Sequence, residues 1–83
     1  MTAAAAIQNN TIWLEASNYD VVALNTKLSS HVSELSNALR QGVPACPDSS
    51  REGFYDVELP SGWSYIHVHD GARTVYLVAF SRN

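Results

Sequence analysis

Three runs of alternating residues, separated by two turns, occupy residues 54–80, FYDVELPSGWSYIHVHDGARTVYLVAF. Aromatic and β-branched residues at every second position are typical of β-strands, and short polar or glycine-containing pairs between such runs favour hairpins. With Ser61-Gly62 as a two-residue loop, the pattern predicts strands at 54–59, 63–69 and 74–80. We therefore expect a three-stranded antiparallel meander.

The two faces of this meander differ in character. Side chains alternate across a strand, so the predicted register aligns Val57 with Ile66 and Leu77 on a nearly wholly apolar face. The opposite face aligns Asp56 with His67 and Tyr76. Its aromatic and ionisable residues are Phe54, Asp56, Glu58, Trp63, Tyr65, His67, His69, Tyr76 and Phe80. That face is too polar for a core and unusually aromatic for a solvent-facing surface.

The first half of the chain indicates a strand followed by a helix. Residues 11–16, TIWLEA, favour a strand. Ser17 and Asp20 resemble a capping box, and Gly42 is a typical helix stop. Between them the apolar residues recur every three or four positions, which predicts a helix of about 20 residues. These residues are Val21, Leu24, Leu28, Val32, Leu35 and Leu39. Residues 43–53, with two prolines, are expected to form a surface loop.

The predicted fold is therefore an α+β domain. It consists of an N-terminal strand, one long amphipathic helix or the same stretch broken into two, and a three-stranded antiparallel meander packed on the helix. Eighty-three residues provide one core. We expect a single domain over 1–83, with residues 1–10 as a flexible arm.

Composition narrows the function classes. A net charge of −3 disfavours extended binding to nucleic-acid phosphates. The single cysteine, Cys46, cannot form an intramolecular disulfide, which favours a reducing cytoplasm, and its role is not readable from the sequence. No stretch is long and apolar enough for a signal peptide or membrane span, so no membrane partner is expected. Motifs for phosphate loops, paired-cysteine zinc sites and nucleophile elbows are absent from the sequence.

Two histidines on one strand leave three interpretations open. His67 and His69 point to the same side, and with Asp56 nearby they could hold a divalent metal. Alternatively, the two histidines are simply exposed on a partly solvated face of the sheet and have no function. In a catalytic interpretation, His67 acts as general acid or base oriented by Asp56, while Tyr76 and Arg82 steady a phosphate or carboxylate. No cofactor is predicted, and no metal is assigned.

The order of elements resembles the RelE/ParE superfamily of bacterial toxins over residues 11–83. The resemblance rests on a strand containing Trp13-Leu14-Glu15, a helical middle, and three antiparallel strands that end in an arginine. It is carried best by GFYDVEL at 53–59, SGWSYIHV at 61–68 and TVYLVAFSRN at 74–83. The resemblance implies a toxin that cleaves messenger RNA on the ribosome or binds a protein target such as gyrase. It also implies a small antitoxin protein as partner.

Residue by residue, the resemblance implies a catalytic set of His67, Tyr76 and Arg82. Arg82 matches the terminal basic residue of the family, and Tyr76 or His67 matches the variable acid/base position. The family's strand arginine is replaced here by Ser64-Tyr65, which indicates a divergent member. The residues expected to bind the target are Trp63, Tyr65, His69, Arg73 and Phe80.

The alternative hypothesis is a non-enzymatic protein-interaction module. Exposed aromatic side chains often anchor partners, because they bury a large area at low conformational cost. Here the aromatic sheet face would bind another protein or a second copy of the chain.

Overall fold

The structure, a computed structural model, describes residues 11–82. Its strands are β1 (Ile12–Leu14), β2 (Asp20–Ala23), β3 (Val43–Pro47), β4 (Phe54–Leu59), β5 (Gly62–His69) and β6 (Thr74–Arg82). One α-helix, α1 (Val32–Gln41), follows directly on a 3₁₀ helix at Thr26–His31, and a 3₁₀ turn at Asp70–Ala72 joins β5 to β6.

The six strands form one mixed sheet in the order β1-β3-β4-β5-β6-β2. All neighbours are antiparallel except β2 and β6, which run parallel. The predicted fold of one long helix on a three-stranded meander is therefore wrong. The sheet has six strands, where an N-terminal strand and a three-stranded meander were expected, and α1 has only 10 residues.

The helix prediction failed at its beginning because part of the apolar stripe belongs to β2. Asp20 starts this strand and is not part of a capping box, while Val21 pairs with Val75 of β6. β-Branched residues favour extended backbone wherever an edge is free to pair. Helical structure begins only after Asn25, whose side-chain oxygen accepts a hydrogen bond of 2.9 Å from the Lys27 N–H. The predicted helix end is confirmed, since Gly42 follows Gln41 with φ of +91°.

A second strand lies in the region expected to be loop. β3 pairs with β1 on one side and with β4 on the other, despite containing Pro44 and Pro47. Pro47 lies beyond the last pair with β1, and Pro44 lies before the first pair with β4, so each proline has one unpaired side, where proline is tolerated. The prolines alone therefore could not exclude a strand.

The three strands of the meander lie where the alternation predicted them, but their first hairpin turns one residue earlier, which shifts the pairing of β4 with β5 by two residues. Leu59 pairs with Gly62, which makes Pro60 and Ser61 the loop. A shift of two residues leaves every side chain on its predicted face. It changes the neighbours, however, because Asp56 lies opposite Tyr65 and not opposite His67.

A β-bulge near the middle of β6 exchanges the faces of its last residues. Ile66 pairs with Leu77 whereas Tyr65 pairs with Ala79, which leaves Val78 as the extra residue. As a result, Phe80 lies on the helix side, where its ring stacks on His31 with centroids 3.7 Å apart. Arg82, paired with Gly62, lies two residues further along the same side.

The sheet curves around α1. In a flat sheet β1 and β2 would lie five strand spacings apart, about 24 Å, whereas the six steps from Leu14 to Asp20 span at most about 23 Å. The connecting segment crosses the end of α1, where the Ala16 N–H donates to the Leu39 carbonyl at 2.9 Å. The helix therefore fills the concave side, and the opposite sheet face is convex.

The core lies between α1 and the concave side of the sheet. Its buried apolar residues are Ala16, Leu35, Leu39, Ala45, Val57, Leu59, Ile66, Val75 and Leu77. Ser64 is buried among them, and its hydroxyl donates to the Val57 carbonyl at 3.0 Å. Because this core uses only one side of the sheet, the other side is left without a helical cover over the described residues.

Two further predictions concern the N-terminal arm and membrane-spanning segments. The predicted flexible arm at 1–10 lies outside the described residues. Over residues 11–82, the only α-helix is too short to cross a membrane.

Candidate functional site

The convex side of the sheet carries a row of stacked rings; we call this side the open face. Phe54 of β4, His67 of β5 and Tyr76 of β6 lie side by side, because strand pairing places His67 between the other two. The rings of Phe54 and His67 are 4.3 Å apart and nearly parallel, at 2°. His67 and Tyr76 have centroids 6.1 Å apart, and Tyr65 lies 5.5 Å from Phe54. These contacts form one continuous aromatic surface across three strands.

A cation borders this surface at the start of β4. The Arg51 guanidinium lies 4.0 Å from the centroid of Phe54 and 5.9 Å from that of Tyr65. Such placement over ring faces is the geometry of a cation–π contact. Arg51 is thus already engaged with the aromatic surface at this corner of the open face.

A carboxylate anchors the neighbouring ring. The Tyr65 hydroxyl donates a hydrogen bond to Asp48, which also accepts from the Ser50 N–H at 2.9 Å and the Ser50 hydroxyl at 2.8 Å. These bonds, with Tyr65 contributing most, lower the pKa of Asp48 to about 2. The same bond raises the pKa of the Tyr65 hydroxyl. Together they hold the β3–β4 loop against β5.

Replacing Tyr65 by phenylalanine is expected to raise the pKa of Asp48 from about 2 toward its ordinary 3.8, because the largest stabiliser of the carboxylate is lost. A depressed carboxyl pKa adds stability above pH 3.8 that disappears as pH falls toward 2. The substitution should therefore lower the urea midpoint at pH 6 more than at pH 2. NMR titration of the Asp48 carboxyl provides the direct measurement.

Tyr76→Phe is the matched control, since it removes the same atom elsewhere on the open face without touching Asp48. The titration of Asp48 should be unchanged in that variant. An equal shift in both variants, or none in Tyr65→Phe, would contradict the assigned hydrogen bond.

An acidic groove runs between β3, β4 and β5 on the open face. It encloses about 390 Å³ and is lined by Thr11, Pro44, Ala45, Cys46, Asp56, Glu58 and Trp63. Asp56 also borders two adjoining hollows, one toward Pro47 and Ser49 and one toward Tyr65 and Ala79. Partial burial, followed by the nearby Asp48 carboxylate, raises the pKa of Asp56. The groove thus contains a partly buried carboxylate near a second negative charge.

The structure brings together two of the three predicted catalytic residues. His67 and Tyr76 are opposite one another on the open face. Arg82 lies on the other side of the sheet, because the bulge at Val78 exchanges the faces beyond it. Sequence alternation alone placed all three on one side, and the bulge has no clear local signature in the sequence.

The five predicted binding residues are also divided. Trp63, Tyr65 and His69 lie on the open face, where His69 is 6.0 Å from the His67 ring. Arg73 occupies the turn before β6 with φ of +48°, and its carbonyl accepts from the Asp20 N–H at 2.9 Å. Phe80 packs on the helix side against His31.

The metal interpretation of His67 and His69 depended on Asp56 lying beside them. Asp56 is opposite Tyr65, which is two residues before His67 on β5. Across residues 11–82, no group of three histidine, cysteine, aspartate or glutamate side chains is arranged to hold a metal ion.

Sequence reasoning missed Asp48, Arg51 and Cys46 as members of this site. Asp48 with Ser50 two residues later is a recognisable Asx turn, which could have fixed the loop conformation. Arg51 and Cys46 had no such signal, because their roles depend on the unrecognised strand β3 and on the ring of Phe54.

The chain matches no protein-family model, and neither a curated protein nor a solved structure is significantly similar to it. The candidate site therefore has to be interpreted from its own geometry.

Proposed function

We propose that this protein is a non-enzymatic protein-interaction module that binds a partner on the open face of its sheet. The observation that carries the proposal is the continuous aromatic surface of Phe54, Tyr65, His67 and Tyr76. These side chains are half-buried although the helix lies on the other side of the sheet. They present rigid apolar area to the outside.

The composition of this surface favours protein binding over catalysis. Aromatic and arginine side chains are enriched among the residues that dominate binding energy at protein interfaces. Stacking and the hydrogen bond to Asp48 already restrict the rings, so little side-chain freedom remains to be lost when a partner docks. A restrained aromatic surface is well suited to such a role.

The contacts of His67 support the same reading. Its neighbours are the rings of Phe54, His69 and Tyr76. A general acid or base is usually oriented by a hydrogen bond from a second polar group. The stacked environment instead makes His67 part of the aromatic surface. The toxin activity implied by the RelE/ParE resemblance stays a rival prediction.

Selection from a displayed library of random peptides tests the proposal. Peptides enriched on the wild-type protein should bind the variant carrying Trp63→Ala and Tyr76→Ala at least about tenfold more weakly, since a hot-spot residue contributes about 2 kcal/mol or more and such residues are enriched in tryptophan and tyrosine. Gln41→Ala is the control, because Gln41 is exposed and lies on α1, on the other side of the sheet from the open face. Circular dichroism verifies that each variant is folded.

Two further measurements distinguish partner binding from self-association and from toxin activity. Sedimentation of the wild-type protein shows whether a second copy occupies the open face, in which case the double variant should be monomeric. Cell-free bacterial translation tests the toxin prediction. Translation arrest that His67→Ala and Arg82→Ala abolish would overturn the proposal, as would peptide binding that the double variant retains in full.

A further inference from the structure

The acidic groove carries negative charge that its own lining residues do not neutralise. Asp56 and Glu58 are two residues apart on β4, so both carboxylates face the groove. None of its seven lining residues is basic. Arg51 lies over the rings of Phe54 and Tyr65 and does not line the groove. A positive charge in the groove would relieve the repulsion between Asp56 and Asp48.

Aromatic side chains stand directly beside both carboxylates. Strand pairing places Trp63 opposite Glu58 and Tyr65 opposite Asp56. A ring face next to a carboxylate suits a lysine or arginine side chain, whose charged end meets the acid while its stem packs on the ring. Pro44 adds a further apolar wall.

The shape of the groove fits more than one such side chain. The main cavity of about 390 Å³ adjoins a hollow of about 140 Å³, and both are bordered by Asp56 and Trp63. An extended peptide directs every second side chain to one side. Basic residues spaced by two could therefore enter neighbouring hollows along β4 and β5.

Other occupants fit less well. Nucleic acid would bring phosphates toward Asp56 and Glu58, and the chain carries a net charge of −3. A second copy docked face to face would set the same carboxylates against each other. Across residues 11–82, no group of ligands is arranged to hold a metal ion.

We infer that the acidic groove binds the lysine and arginine side chains of an extended basic segment in a partner protein. This inference rests on the proposed function, and it names the class of partner that the open face accepts. Charge attraction supplies the recognition, and the rings beside the carboxylates select the long stems of these two side chains.

The test uses an end-blocked Arg-Gly-Arg-Gly-Arg-Gly peptide and ¹⁵N-resolved NMR of the full chain. We expect the largest shifts at the amides of 45–46, 56–58 and 63–65. The variant with Asp56→Asn and Glu58→Gln should bind at least about tenfold more weakly, because it lacks both carboxylates that would meet the basic side chains. The control carries Glu15→Gln and Glu52→Gln, which change the net charge equally outside the groove. It should stay within about twofold of wild type, because neither residue lines the groove and salt screens exposed charges.

Three results would overturn the inference: equal weakening in both double variants, equal binding of the citrulline analogue of the peptide, or equal binding of a peptide with glutamate in place of arginine. The proposed function fails separately. If library selection yields peptides that need Trp63 and Tyr76 but carry no basic residues, the open face is a protein-binding surface and only the basic partner is wrong. If no selected peptide depends on those residues, both proposals are wrong.

Discussion

Replacing Leu39 by alanine is expected to lower the free energy of unfolding by about 2–5 kcal/mol. Leu39 is fully buried, as is Leu35 one turn earlier, and these two residues are the buried contribution of α1 to the core. The truncation leaves a cavity beneath the sheet, at the point where the Leu39 carbonyl holds the β1–β2 connection. Because domains of this size are stable by only about 4–12 kcal/mol, the loss is a large share of the total.

Urea denaturation followed by circular dichroism measures this effect. Leu24→Ala provides the matched control, since it makes the same change at a residue that is 61% exposed. The control should alter stability by no more than about 0.5 kcal/mol. Similar losses in both variants would contradict the position of the core between α1 and the concave side.

The second large effect is expected at Gly62, where any side chain would strike the backbone of the neighbouring strand. A Cβ at this position would lie 2.3 Å from the Ser81 carbonyl oxygen and 2.9 Å from the Arg82 Cα. Those atoms belong to β6 and cannot move away without disturbing the pairing of Gly62 with Arg82. Gly62→Ala should therefore cost about 2–4 kcal/mol through overpacking and backbone strain.

Gly71→Ala is the control for this substitution, because no atom lies within 4 Å of a Cβ built there. That change should be neutral or slightly stabilising, by less than about 1 kcal/mol. Thermal unfolding of both variants tests the difference. If Gly62→Ala unfolds at the same temperature as the wild-type protein, the close approach of β5 and β6 at this end of the sheet is wrong.

The parts of the fold that were predictable from the sequence depend on local alternation. The strands containing Val57, Ile66 and Leu77 alternate clearly, and a pairing register displaced by two residues still put the aromatic side chains on the correct face. The open face could therefore be recognised before its exact pairings were known. Its aromatic character is a property of the sequence itself.

The remaining features depend on distant contacts. Val21 and Val22 fit either a helix or a strand, and the free edge of β6 decides in favour of the strand. The bulge at Val78 lies in a run with apolar residues on both faces, so alternation gives no sign of it. The position of Arg82 follows from that bulge. This is why His67 and Tyr76 of the predicted catalytic set lie together, whereas Arg82 lies on the other side of the sheet.

The parallel pairing of β2 with β6 also has a consequence for biosynthesis. Ala23 pairs with Leu77, so 54 residues must be added after β2 before its partner exists. At about 5–20 residues per second, this takes roughly 3–11 s during translation. Pairings this far apart in sequence also form slowly. Throughout that interval the first strands and the helix have no complete sheet to pack on, and the nascent chain depends on its surroundings to avoid association with other chains.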